Sequence, residues 1–309
     1  MTDMRTAFAE TAEDIVANDP LAAVVLADIS TAMFEDAMLS FSDRLINVGI
    51  RESLMISVGG GLALTGMHPI MHSYAPFLIE RAFEQIKLDL GHQDAAAVLV
   101  SIGASYDVPE AGRTHHGPGD VALIDTVPGF TVHVPGHASE VPTLLRDAVG
   151  RPHSSYIRLS EAINTVRLPV SSRLTVVRRG RGALVVAVGP MLDPVLDATE
   201  GMDVTVAYAT TVRPFDSAGV RSLAATDTVV VVEPYLAGTS IRPIDEALAD
   251  RPHRTLGLGV ARTEVRRYGT AADHSRLYGL DPAGIRASLD RFLNRFLDRP
   301  PAYRESVGA

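Results

Sequence analysis

One acid, Glu52, stands between a strand-like apolar run and the glycine-punctuated stretch ESLMISVGGGLALTG. An acid in the first turn of a helix gains about 0.3–1 kcal/mol from the unpaired amides there, so charge placement alone accounts for it. A second group, Arg113-Thr114-His115-His116-Gly117-Pro118-Gly119-Asp120, puts adjacent histidines in a Gly- and Pro-rich loop after an apolar strand. In parallel α/β folds ligands bind outside the carboxyl ends of strands. Imidazoles there can carry protons near neutral pH or hold a metal. No matching set of carboxylates or cysteines accompanies them, so proton transfer and substrate hydrogen bonding are expected and no metal site is. A solvated loop is the alternative. Tyr74 and Phe77 read as core by default, and Arg158, at a strand end, as a surface ion pair or an anion clamp. There is no serine nucleophile elbow and no phosphate-cradling P-loop.

These residues hang on alternating apolar runs of two lengths. Strands are expected at Leu21–Ala27, Arg44–Val48, Pro69–Tyr74, Ala95–Ile102, Phe130–Val134 and Ser155–Leu159. Helices are expected over Thr6–Asn18, Ser53–Thr65, Ile79–Leu90 and Ser139–Val149. Alternation of this kind gives a doubly wound α/β sheet. Three glycines inside one helix, Gly59 to Gly61, each cost about 1 kcal/mol relative to alanine, which points to close approach of another backbone or a ligand.

Residues 161–182, with the run RRGRG, lack a clear period and read as a linker with room for one edge strand. The alternation then restarts, with strands at Ala183–Val188, Val204–Ala207, Thr228–Val232 and Thr255–Leu258. Helices are expected at Pro190–Thr199, Leu236–Ala249 and Ile285–Leu297; the last stripes Ile285, Leu289, Phe292, Leu293, Phe296 and Leu297 on one face. This smaller unit shows no catalytic cluster, and assembly is its expected role.

At 309 residues the chain is long enough for two domains of about 150. A net charge of −9 with interspersed signs argues against a nucleic-acid surface. There is no cysteine, hence no disulfide framework and no thiol nucleophile. The polar start MTDMRTAFAETAED does not read as a secretory signal, and no apolar run approaches the roughly 20 residues that span a bilayer. A soluble cytoplasmic protein is expected.

The strings GIRES, GGGLALTGMHPI, FLIERAFEQIKLDLGHQ and GRTHHGPGDVALIDTVPGFTVHVPG, in this order, resemble the pyrimidine-binding domain of transketolases and deoxyxylulose phosphate synthases. VVVVEPYLAGTS is similar to their C-terminal domain. The resemblance implies two doubly wound α/β domains. A thiamine-diphosphate pyrimidine-binding domain would occupy residues 1–160, and a smaller C-terminal-like domain residues 183–309. The family's Gly-Asp-Gly…Asn segment for magnesium and diphosphate is not found in the sequence. The chain therefore resembles the C-terminal subunit of a split transketolase. That implies a diphosphate-binding N-terminal partner subunit that holds most of the Mg2+, a heterotetramer with two copies of each chain, and two-carbon ketol transfer between sugars or sugar phosphates.

By the same resemblance, Glu52 meets the pyrimidine ring and promotes its imino tautomer, Phe77 stacks on that ring, and Tyr74 is a neighbour. His115 faces substrate oxygens, with His116, Arg113 and Arg158 as further substrate-binding candidates. Arg81 follows Phe77 one residue later than in the synthases. The family's Asp-Gly-Pro-Thr-His loop here reads Ala111-Gly112-Arg113-Thr114-His115, and Gly103 stands where transketolases carry a phosphate-contacting histidine. Phosphorylation of the substrates stays open. The alternatives are the β subunit of a 2-oxo acid dehydrogenase-type enzyme and a non-catalytic assembly subunit.

Overall fold

The computed structural model describes residues 3–264 and 266–294. Helix α1 (Met4–Asn18) starts at Asp3, whose carboxylate accepts the Thr6 N–H at 2.7 Å. It buries Phe8, Ala12 and Val16 against β1 (Ala22–Leu26), a strand buried along its whole length. After α2 (Glu35–Ser40) and β2 (Leu45–Asn47), α3 (Glu52–Leu64) leads into β3 (His68–Tyr74). The next helical stretch is unusual. Wide π-type turns at Pro76–Arg81 and Ile86–His92 flank a short α4 (Phe83–Gln85). A π turn accommodates an extra residue within a helix, and such turns cluster at functional sites. β4 (Val98–Ile102), α5 (Asp120–Ile124), β5 (Thr131–His133), α6 (Val141–Ala148) and β6 (Ser155–Arg158) follow.

The second half runs β7 (Thr175–Arg178), β8 (Leu184–Val188), α7 (Leu192–Ala198), β9 (Thr205–Ala209), β10 (Thr211–Arg213) and α8 (Ser217–Leu223). It ends with β11 (Thr228–Leu236), α9 (Ile241–Ala247), β12 (Arg254–Val260), α10 (Ala271–Tyr278) and α11 (Pro282–Asn294).

Two sheets result. The seven-stranded sheet has the order β10-β5-β6-β4-β3-β1-β2 and is parallel except at β10–β5. The five-stranded sheet has the order β12-β11-β8-β9-β7 and is parallel except at β7–β9. Near-continuous apolar strands suit parallel sheets covered on both faces. The two halves share packing: Val132 and Tyr156 belong to the same apolar cluster as Val186 and Val231. Strand β7 comes from the segment expected as a linker. In the same segment the Asn164 N–H donates to the Gly136 carbonyl, while its side chain donates to the Gly189 carbonyl at 3.0 Å.

The helix expected over Leu236–Ala249 is shorter. β11 continues to Leu236, because the buried Glu233 carboxylate accepts the N–H groups of Gly238 and Ser240 and makes a turn there. In α11, Ile285 and Leu289 are buried and Phe292 and Leu293 pack against the same core. Phe296 and Leu297 lie outside the described residues. The expected close approach at the glycine triplet occurs at Gly60, where a Cβ would sit 3.0 Å from the Asp89 carbonyl oxygen. Among the described residues no helix is long and apolar enough to cross a membrane.

Candidate active site

Glu52 is the first residue of α3, at a helix start where backbone N–H groups favour negative charge. Its side chain is only 2% exposed, and its Oε2 accepts from Arg81 Nη1 at 2.8 Å. The Arg81 side chain is 49% exposed, so the acid is sealed and its counterion faces water. Arg81 Cζ also lies 4.2 Å from the centre of the Phe77 ring. The wide turn at Pro76–Arg81 puts the two residues on one face, and through Arg81 the carboxylate and the aromatic ring become neighbours.

Phe77 belongs to a three-ring group. Its centre is 5.8 Å from Tyr74 and 5.0 Å from His115, both edge-to-face, and Tyr74 is 5.4 Å from His115. All three rings are half-buried. Such edge-to-face pairs add about 0.5–1.5 kcal/mol beyond burial. Thr114 Oγ1 lies 3.0 Å from His115 Nδ1 and fixes the imidazole. Gly103 has a left-handed backbone (φ +66°), and a Cβ there would fall 2.3 Å from the Tyr74 ring. Only glycine lets Tyr74 lie where it does.

The remaining candidates separate from this group. His116 is buried and turns away from His115, its ring 5.1 Å edge-on from His274 of α10. Burial, then the nearby His274, holds its pKa below the usual histidine value. Arg113 is exposed. It donates to the His116 carbonyl at 2.7 Å and pairs with Glu264. Arg158 is fully buried; its Nε meets Asp120 Oδ2 at 2.6 Å and its Nη2 meets Ser105 Oγ at 2.7 Å. It is thus an internal ion pair and not the surface pair considered from its position at a strand end, and its Nη1 has no hydrogen-bond partner. The two rings take different neighbours, His115 the Phe77 ring and His116 the His274 ring.

Arg81 is the residue least evident beforehand as part of the site. Its signal was its four-residue spacing from Phe77 on a helix. Asp107 gave no signal, a lone acid in a loop. Its carboxyl oxygen accepts the N–H groups of Ala104 and Glu161, both at 3.0 Å, and desolvation pushes its pKa up to about 7.

Residues 1–165 match the model of the transketolase pyrimidine-binding domain, and residues 172–285 that of the transketolase C-terminal domain. The chain belongs to the transketolase family. Members of this family are thiamine-diphosphate enzymes. The chain is 48% identical over 299 residues to an uncharacterized 33.6 kDa protein in the fasciation locus of Rhodococcoides fascians, covering 94% of this chain and 95% of that one. It is 32% identical over 277 residues to a 1-deoxy-D-xylulose-5-phosphate synthase of Burkholderia cenocepacia, covering 84% of this chain and 43% of the synthase. The chain thus spans less than half the length of the synthases it matches. Two solved structures share the fold. A split gene transketolase, described as an inactive β4 tetramer, has a TM-score of 0.81 at 24% identity, covering 94% of this chain and 98% of that one. A transketolase from Campylobacter jejuni has a TM-score of 0.73 at 16% identity, covering 93% of this chain and 46% of that one.

The donor set fits an aminopyrimidine. Glu52 offers a buried carboxylate to a ring nitrogen, and half-buried aromatic rings beside it offer a stacking surface.

Proposed function

We propose that this chain is the C-terminal subunit of a split, cytoplasmic transketolase-type transferase. It supplies the pyrimidine half of a thiamine-diphosphate site and depends on a separate diphosphate-binding subunit for the rest, including the Mg2+. The reaction is transfer of a two-carbon ketol unit from a ketose to an aldose. The observation that carries this reading is the buried Glu52 at the start of α3, joined through Arg81 to the Phe77–Tyr74–His115 group.

When bound, thiamine diphosphate supplies the nucleophilic carbon and the electron sink for carbon–carbon cleavage. Glu52 holds a hydrogen bond and a proton at the ring nitrogen. Phe77 stacks on the ring, and Tyr74 fixes the position of Phe77. His115, held by Thr114, exchanges hydrogen bonds and a proton with a substrate oxygen. Arg113 and His116 shape the loop behind His115. Ile50 and Leu54, which flank Glu52, are 72% and 42% exposed, as expected of apolar residues that a partner subunit covers. The expected assembly is a heterotetramer.

Turnover with thiamine diphosphate, Mg2+ and a panel of ketose donors tests the reading, using the chain alone and co-expressed with a diphosphate-binding subunit. Activity only in the mixture is expected. Full activity in the chain alone overturns the partner requirement. Turnover of pyruvate-like donors and not ketoses assigns it to the 2-oxo acid dehydrogenase side of these enzymes. No turnover in a stable complex, unaffected by donor, leaves an assembly role.

A further inference from the structure

The Tyr74 ring, which packs on Phe77 and His115, also walls a cavity of about 330 Å3 beside the start of α1 and the end of β6. Met4, Ile102, Leu159 and the Tyr74 ring give this cavity its apolar lining, and its charged groups are Asp3, Arg5 and Glu161. Desolvation, then the Glu110 and Asp3 charges, pushes the Glu161 carboxyl above its usual range, and Arg5 opposes the rise. Two carboxylates, Asp3 and Glu161, thus line the cavity with one guanidinium, whose Nε is already engaged by Ser30 Oγ at 3.0 Å, while Glu110 acts on Glu161 from outside the lining. The Glu161 position is built. Its N–H donates to Asp107 Oδ2, the same oxygen that accepts the Ala104 N–H, which ties the two cavity walls together.

We propose that this cavity receives the acceptor as an unphosphorylated polyhydroxy chain, and that Glu161 sets the discrimination against phosphorylated sugars. Hydroxyl groups of such a chain donate to the Asp3 and Glu161 carboxylates and accept from Arg5. A phosphate dianion in the same place meets like charge and gains one partly committed guanidinium. Calling the occupant the acceptor rests on the transferase reading above; the charge preference is a binding property of this chain itself.

Calorimetric titration of the full chain with D-erythrose and with D-erythrose 4-phosphate at low ionic strength separates the two statements. The parent sugar is expected to bind about tenfold or more tightly than its phosphate, because like-charge juxtaposition is strongly disfavoured. The ratio should shrink as salt screens the exposed carboxylates. Glu161→Gln should narrow it several-fold, and Glu161→Arg should reverse it. Equal or tighter binding of the phosphate, binding of neither sugar, or a ratio indifferent to both variants overturns the proposal. In the reconstituted complex the same ratio is read in kcat/KM, with the change in KM. Ketol transfer that prefers phosphorylated acceptors removes the cavity proposal and leaves the transferase reading standing. The binding preference without any transfer does the reverse.

Discussion

Glu52 and Asp120 are both buried carboxylates facing an arginine, at 2.8 and 2.6 Å. Their surroundings differ. Arg81 is 49% exposed, so one side of the Glu52 pair meets water. Arg158 and Asp120 are both at 0%, and Asp120 also accepts from the Tyr156 hydroxyl at 2.7 Å. The first pair can change partner: if Arg81 moves, its charge is hydrated and Glu52 is free to meet a ligand. The second has nowhere to go. Separating it leaves a charge in the interior, and the attraction of the pair offsets a desolvation cost that is incurred once, on folding. The same chemistry thus serves two ends within the first unit: one pair can open to water, and the other ties α5 to β6.

The widest separation between them should come from paired isosteric changes. Glu52→Gln is expected to lower turnover of the reconstituted complex by about 10²–10⁴-fold, the usual contribution of a positioned proton acceptor. Its thermal midpoint should stay close to wild type, because the orphaned Arg81 is already half in water. Undiminished turnover would remove Glu52 from the chemistry. Asp120→Asn should do the opposite. It leaves Arg158 buried without a counterion, and losses of about 3–5 kcal/mol are typical for one member of such a pair. Denaturant unfolding measures it. A cost below about 1 kcal/mol, the level of an exposed pair, would erase the contrast between the two sites.

Much of this architecture is legible in the sequence because strands buried on both faces read as unbroken apolar runs. The run Leu21–Ala27 contains β1, and Pro69–Tyr74 lies within β3. What escapes such reading is decided by distant partners. β10 leaves the second unit to pair antiparallel with β5, and its residues Thr211–Arg213 carry no mark of that crossing. The extent of α9 depends on a Glu233 carboxylate that caps a turn five to seven residues on. At the site, Glu52, Phe77 and His115 stand out by type and order, whereas their geometry does not. His115 ends a helical turn and His116 adopts an extended backbone, so adjacent rings diverge, one to the Phe77 group and one to His274. Arg158 looks like a ligand-facing cation at a strand end because nothing local announces Asp120 as its partner.

A smaller effect separates the two regions through their backbones. Gly103→Ala forces a left-handed residue and drives a methyl into the Tyr74 ring. A destabilisation of about 1–3 kcal/mol is expected. Because Tyr74 must shift, Phe77 and His115 lose their contacts, and donor KM in the complex should rise while the Arg158–Asp120 pair is unaffected. An unchanged KM would show that Tyr74 does not position the other two rings.

The last expected effect lies in pH. Asp107 sits within the field of Arg158, but that guanidinium is committed to Asp120, and desolvation prevails, leaving the Asp107 pKa at about 7. An unfolded aspartate titrates near 4. Between those values the folded chain keeps a proton that the unfolded chain has released. Stability from this group therefore falls as pH rises from about 4 to 7 and levels off above. Asp107→Asn keeps an oxygen for the Ala104 and Glu161 N–H groups and removes the titration. Relative to wild type, the variant should gain stability progressively from pH 5 to pH 8. Subtracting the two melting curves cancels other titrating groups, such as His72, whose pKa burial lowers to about 3. A difference that stays flat across that range would mean Arg158 neutralises Asp107 as fully as it does Asp120, and the sealed pair would then be a triad.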